Sequence, residues 1–156
     1  MGSAMRVRPL EPAEIPALAR ALAEVPLMVR YRRDAAALER SLAAAHGRGE
    51  GLLVADDGGT LRGLAWFLRE GTLAMGGYLR LIAVLPGAEG KGTGAALLAA
   101  FEAETAARSA HAFLLVSDFN DGAQRFYERH GYARVGALPA LVLPGVGELL
   151  YWKRLR

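Results

Sequence analysis

Tyr78-Leu-Arg-Leu-Ile-Ala-Val-Leu-Pro-Gly-Ala-Glu-Gly-Lys-Gly-Thr-Gly-Ala-Ala-Leu-Leu-Ala-Ala-Phe101 is the stretch around which this chain is organised. An apolar, strand-like run over 79–85 stops at Pro86, passes through a glycine-rich turn and enters a helical pattern. Gly90, Gly92 and Gly94 leave Lys91 and Thr93 as the side chains of that turn, so several backbone N–H groups can face one ligand with no Cβ in the way. Those donors and the positive end of the helix dipole suit a phosphate or pyrophosphate.

Spacing separates the known kinds of anion-binding turn. A P-loop needs Ser or Thr after its lysine to reach magnesium, and here Gly92 follows Lys91. A dinucleotide fingerprint needs Gly-x-Gly-x-x-Gly; counted from Gly90 the third glycine comes one position early, and counted from Gly92 the sixth position is Leu97. The remaining alternatives are another kind of phosphate turn and an ordinary strand-to-helix connection whose glycines serve packing.

Length and composition narrow the setting. The 156 residues suit one domain with a real core. No apolar run approaches the roughly 20 residues a membrane helix needs, so no membrane is expected as partner. Met1 to Met5 lack the charged and apolar regions of a signal peptide, and residues 1–4 read as an expression remnant ahead of a native Met5. The absence of cysteine excludes disulfides, thiolate metal sites and a cysteine nucleophile, and the cytoplasm is the expected location. Net charge is +3, with lysine only at Lys91 and Lys153. The local cluster Arg30, Arg32 and Arg33 reads as a solvated face, and no nucleic-acid partner is expected.

Along the chain, 5–10 alternates apolar and basic residues as a short strand would. Helix formers run over 17–24 until Pro26, and Asp34 can cap a second helix through Leu38 and Leu42, closed by Gly47. Strands at 51–55 and 61–68 flank Asp56-Asp-Gly-Gly59, a hairpin signal, and a third strand at 78–84 completes an antiparallel meander. The helix after the turn places Gly94, Leu97, Leu98, Phe101 and Thr105 on one stripe, with Glu104 and Arg108 at ion-pair spacing. The apolar run 112–117 reads as a central strand, parallel to its predecessor because a helix joins them. Asn120 or Asp121 caps a helix over 122–130, stopped by Gly131, and strands at 132–138 and 148–155 follow. The fold class is α/β (α+β): a mixed, mainly antiparallel sheet flanked by helices.

Two segments resemble the signatures of the GNAT superfamily of acyl-CoA-dependent N-acyltransferases. Val84-Leu85-Pro86 and Glu89-Gly90-Lys91-Gly92-Thr93-Gly94 are similar to its pyrophosphate turn, with Glu89 where Gln or Arg is usual. Asn120, Ala123, Phe126, Tyr127, Gly131 and Tyr132 match its second signature at the expected spacing, and together the two span about a third of the chain. The resemblance implies one N-acetyltransferase domain over 5–156, acetyl-CoA as cosubstrate without a metal, and two parallel strands that splay to admit the pantetheine arm. It assigns to the cofactor Ile82, Ala83 and Val84, the turn Gly90, Lys91, Gly92, Thr93, Gly94 and Ala95, and Asn120 and Tyr127. Backbone N–H near Val84 would polarise the thioester carbonyl.

Tyr127 is then the expected general acid. A phenol near ~10 can hydrogen-bond to, and protonate, a thiolate whose acid is near ~8.5. Read from helical spacing alone, Tyr127 is a core aromatic and Asn120 a plain N-cap. The attacking amine must be neutral, and Glu70, Asp118, Glu148 or water are the candidate bases; the strand position where the family often carries Glu holds Arg80, which could attract an acceptor carboxylate or simply be solvated. With no cysteine, transfer is expected to be direct, within a ternary complex. The alternatives are a non-catalytic acyl-CoA-binding module of the same fold and a nucleotide phosphate-binding protein. His46, His111 and His130 show no metal-ligand spacing, and 139–152 could pair or exchange in a homodimer.

Overall fold

The computed structural model describes residues 4–156; the reading of 1–4 as a remnant falls, for the first three, outside the described residues. The elements run β1 (Arg6–Pro9), a 3-10 turn (Pro12–Glu14), α1 (Ile15–Leu22), α2 (Pro26–Arg30), α3 (Ala35–Gly47), β2 (Gly51–Asp57), β3 (Thr60–Thr72), β4 (Gly76–Val84), α4 (Thr93–Ala106), β5 (His111–Ser117), α5 (Asp121–Arg129), β6 (Ala133–Pro139) and β7 (Gly147–Arg154). The sheet has seven strands in the order β1-β2-β3-β4-β5-β7-β6. β5 pairs parallel to β4, as expected for strands joined through a helix, and antiparallel to β7. The mixed, mainly antiparallel α/β class read from the sequence is the observed one.

Two compact units divide the chain. The first comprises Met1–Phe67 and Leu81–Phe101, the second Leu68–Arg80 and Glu102–Arg156. In the first, α1 and α3 bury Leu18, Leu22, Leu38 and Leu42 with Val54, Leu64 and Trp66 of the β2–β3 hairpin. Asp34 caps α3, its carboxylate accepting the Ala37 N–H at 2.7 Å. The hairpin turn is closed by the Asp56 carboxylate, which accepts the Gly59 N–H at 2.7 Å with Gly58 and Gly59 both at positive φ. The buried Asp56 also receives Arg8 Nε at 2.8 Å, and Arg8 reaches Glu14 at 2.6 Å. A residue read as turn punctuation thus ties β1 and the 3-10 turn to the hairpin.

α1 ends at Leu22, short of the expected 24, and Pro26 opens α2, a short helix the sequence reading missed; proline at a first helical position keeps a preset φ and loses no hydrogen bond. Arg30 falls in α2 and Arg33 donates to Ser41 Oγ at 2.8 Å. The expected Glu104–Arg108 pair does not form within the helix, because α4 ends at Ala106; Glu104 instead pairs with Arg69 at 3.1 Å in the second unit.

In the second unit the β4–β5 register runs from Gly76↔His111 to Leu79↔Leu114, and β5 continues to Ser117 against Glu148 of β7. One face of these strands meets the helices. A Cβ on Gly77 would lie 2.6 Å from Thr105 of α4, Tyr151 donates to Glu128 of α5 at 2.9 Å, and Lys153 reaches Glu102 at 2.9 Å. β6 is the edge strand, with a register shift between Arg134 and Gly136.

Candidate functional site

The turn that precedes α4 lies in the first unit together with Ile82, Ala83 and Val84. Its backbone is set in short steps. Leu85 N–H donates to Arg62 O at 2.8 Å, Ala88 N–H returns to Leu85 O at 3.0 Å, and the Glu89 carboxylate accepts the Gly87 N–H at 2.8 Å. The residue that departs from the usual pattern therefore has a local task in holding the turn. Gly87, Gly90 and Gly92 have φ of 85°, 72° and 76°, a region that a β-carbon makes costly. No atom stands within 4 Å of a Cβ built on Gly90 or Gly92, so conformation and not crowding calls for glycine there.

Gly92 O accepts the Ala96 N–H at 3.0 Å, the first bond of α4. The N–H groups of Thr93, Gly94 and Ala95 precede that bond and have no acceptor within the helix. They are three donors at the positive end of a 14-residue helix. Thr93 differs from the expectation in one respect: its side chain is buried, with Oγ1 3.5 Å from Ala88 O and from Met5 Sδ, so it anchors the turn from beneath. Lys91, between Gly90 and Gly92, is exposed. Underneath, β3 comes so close that a Cβ on Gly63 would sit 2.7 Å from Ala83 O.

Asn120 and Tyr127 belong to the second unit. Asn120 caps α5, its Oδ1 accepting the Ala123 N–H at 3.1 Å. Capping uses the oxygen and leaves the amide NH2 as donor. Gly131, at φ 87°, ends the helix and lets the Tyr132 N–H close on Tyr127 O at 3.0 Å. Tyr127 is 8% exposed, edge-on to Phe126 at 5.1 Å and to Tyr132 at 5.7 Å. Burial pushes its phenol well above the ordinary value, so it stays protonated through the physiological range. Tyr132 is raised as well, by burial first and then by the charge of Glu102.

The three candidate bases differ sharply. Glu70 is exposed on β3. Asp118 clamps the start of β7, accepting the Gly147 N–H at 2.8 Å while its own N–H donates to Gly147 O at 2.9 Å. Glu148 is 5% exposed, with Ser117 Oγ 3.3 Å from one carboxylate oxygen. Sequence reading missed Ser117 and Tyr78; both become visible only once the register of β4, β5 and β7 is known. Two of the histidines make hydrogen bonds within the chain: His130 Nδ1 donates to Phe126 O at 2.7 Å, and His111 Nδ1 accepts from Trp152 Nε1 at 3.0 Å. Among the described residues no helix is long and apolar enough to cross a membrane.

Comparison with solved structures gives the fold. A crystal structure from Desulfovibrio desulfuricans, assigned as an acetyltransferase of the GNAT family, superposes with TM-score 0.82 at 21% identity, covering 98% of this chain and 100% of that one. Ard1 from Thermoplasma volcanium superposes at 0.80 and 22%, covering 97% and 98%. An aminoglycoside 6'-N-acetyltransferase complexed with coenzyme A superposes at 0.78 and 16%, covering 97% and 98%. No curated protein matches the sequence. The model of the acetyltransferase (GNAT) family matches residues 17–132, which takes in the glycine turn, Asn120 and Tyr127, and the chain belongs to that family.

Proposed function

We propose that the protein is an acetyl-CoA-dependent N-acetyltransferase that passes the acetyl group directly to a primary amine, acting as one domain over 5–156 in the cytoplasm. The observation that carries this reading is the entrance of α4: three N–H donors, two positive-φ glycines with open space around them and an exposed lysine. Such an arrangement suits the diphosphate of a coenzyme A thioester. Coenzyme A in a structure of the same fold supports it.

Gly90, Lys91, Gly92, Thr93, Gly94 and Ala95 hold the diphosphate, the Ile82, Ala83 and Val84 backbone pairs with the pantetheine arm, and the Asn120 amide donates to it. In the reaction the amine nitrogen attacks the thioester carbon, a C–N bond forms and the C–S bond breaks. The nitrogen loses one proton to solvent or a base, and the departing sulfur gains one from Tyr127, which solvent restores. Burial raises the Tyr127 phenol, which keeps it protonated and able to donate. The chain holds no cysteine, which supports direct transfer over an acyl-cysteine intermediate.

Titration calorimetry with acetyl-CoA, ATP and NAD tests the assignment of the turn. Saturable binding of acetyl-CoA alone is expected; binding of ATP or NAD in its place would contradict it. A non-catalytic acyl-CoA-binding module would bind the thioester and release no coenzyme A with any amine.

A further inference from the structure

β6 leaves one edge of the sheet open, and the chain along that edge is almost free of charge. Arg134 is the one charged residue in 133–146. Val135, Leu138, Leu141 and Val142 are between 41% and 56% exposed, and they make up four of the seven large apolar side chains exposed among the described residues. Single exposed apolar side chains are ordinary, but a run of them along an unpaired strand is a surface for pairing. The loop after β6 folds back on itself, the Ala140 N–H donating to Val146 O at 3.1 Å and the Val146 N–H to Leu143 O at 3.2 Å, so Leu141 and Val142 form a corner at the end of the strand.

Hydrogen-bond alternation shows what backbone this edge offers. Gly147 turns its own groups toward β5: its carbonyl accepts the Asp118 N–H at 2.9 Å, and its N–H donates to the Asp118 carboxylate at 2.8 Å. Pro139 lies opposite Gly147 and therefore faces away from β7, and by the two-residue repeat so do the N–H and C=O of Ala137, opposite Leu149. Pro139 has no N–H, which closes the edge to a long added strand. Ala137 keeps both groups. A second copy related by a two-fold axis through Ala137 matches them, each Ala137 N–H reaching the carbonyl of the other. The same axis sets the strands antiparallel, so the two Arg134 charges lie at opposite ends of the pairing, each with its aliphatic stem toward the Leu141 and Val142 corner of the other copy.

We propose that the β6 edge is the interface of a homodimer, two copies pairing antiparallel about Ala137 and covering Val135, Leu138, Leu141 and Val142. β7 is enclosed between β5 and β6, so within 139–152 the part open to a second copy is the corner 139–146. The proposal goes beyond the acetyltransferase reading and stands without it. Because the two-fold occupies the β6 edge of both copies, assembly there stops at two.

Sedimentation of the full chain tests it. The wild type should be dimeric at about 100 μM, within reach of a small interface. A monomer at that concentration would overturn the proposal, and so would an assembly larger than two. Ala137→Pro removes the central donor at a place where the fold of one chain does not use it, and Leu141→Lys charges the exposed corner; each should weaken dimerisation by about tenfold or more. A folded variant of either kind that dimerises as the wild type does would overturn the assignment of this edge. Amide exchange needs no variant. The Ala137 N–H faces the open edge of a single chain, so in the dimer it should be protected by about tenfold or more relative to an unstructured amide, and exchange at the unstructured rate would overturn the pairing.

Discussion

A β-carbon built on Gly63 would stand 2.7 Å from the carbonyl oxygen of Ala83, and 2.9 Å from Leu97 of α4. β3, β4 and the first turns of α4 therefore meet at a point where no side chain fits, directly beneath the glycine turn. Gly63→Ala should lower stability by about 1–3 kcal/mol through overpacking, and should weaken acetyl-CoA by moving the strand that carries Val84. Urea unfolding and calorimetry read the two effects; a variant as stable as wild type would show that the contact yields without cost.

Gly92 poses a different problem, since the space around its missing side chain is open but its φ is 76°. Gly92→Ala should cost about 1–2 kcal/mol of stability from left-handed strain, and should raise the acetyl-CoA Kd by about tenfold as the N–H donors shift. Affinity equal to wild type would mean that the diphosphate binds elsewhere.

Tyr127→Phe removes only the hydroxyl from a packed ring. kcat should fall by about 100-fold or more, with the acetyl-CoA Kd within about twofold. Because burial holds the wild-type phenol above its ordinary value, the rate should show no alkaline fall from its ionisation up to about pH 10. A wild-type rate lost between pH 8 and 9 would need another acid, by the ordinary ~10 of a phenol.

Acid stability should report on the Arg8 network. Hydrogen bonds from Arg8 hold both Asp56 and Glu14 below their ordinary values. Groups depressed in the fold stabilise it above their unfolded pKa values, and that contribution is lost as pH falls through the folded ones. Tm should therefore drop most steeply below about pH 4, and Asp56→Asn should flatten that limb. Parallel Tm curves for the two proteins from pH 7 to pH 2 would contradict the assignment.

Much of the fold was legible because local signals agreed with it. Asp34 before Ala35–Gly47, Asp56-Asp-Gly-Gly59 between two apolar runs, and Asn120 before Asp121–Arg129 each name an element boundary by its own chemistry. Pro26 misled because a ring that stops a helix in its interior is suited to begin one at its first position. Arg108 misled because spacing along an ideal helix says nothing about where the helix stops, and the partner of Glu104 came from β3. Asp56 as the partner of Arg8, and Ser117 as the neighbour of Glu148, were invisible for a common reason: each depends on strand register between residues far apart in the chain.

The most direct measurement is the release of coenzyme A thiol from acetyl-CoA, followed with a thiol reagent to which this cysteine-free chain contributes nothing. The account predicts release that depends on added primary amine, saturates with it, and falls by about 100-fold or more in Tyr127→Phe. Release that is the same with and without amine, across a panel of alkyl and arylalkyl amines, would contradict it.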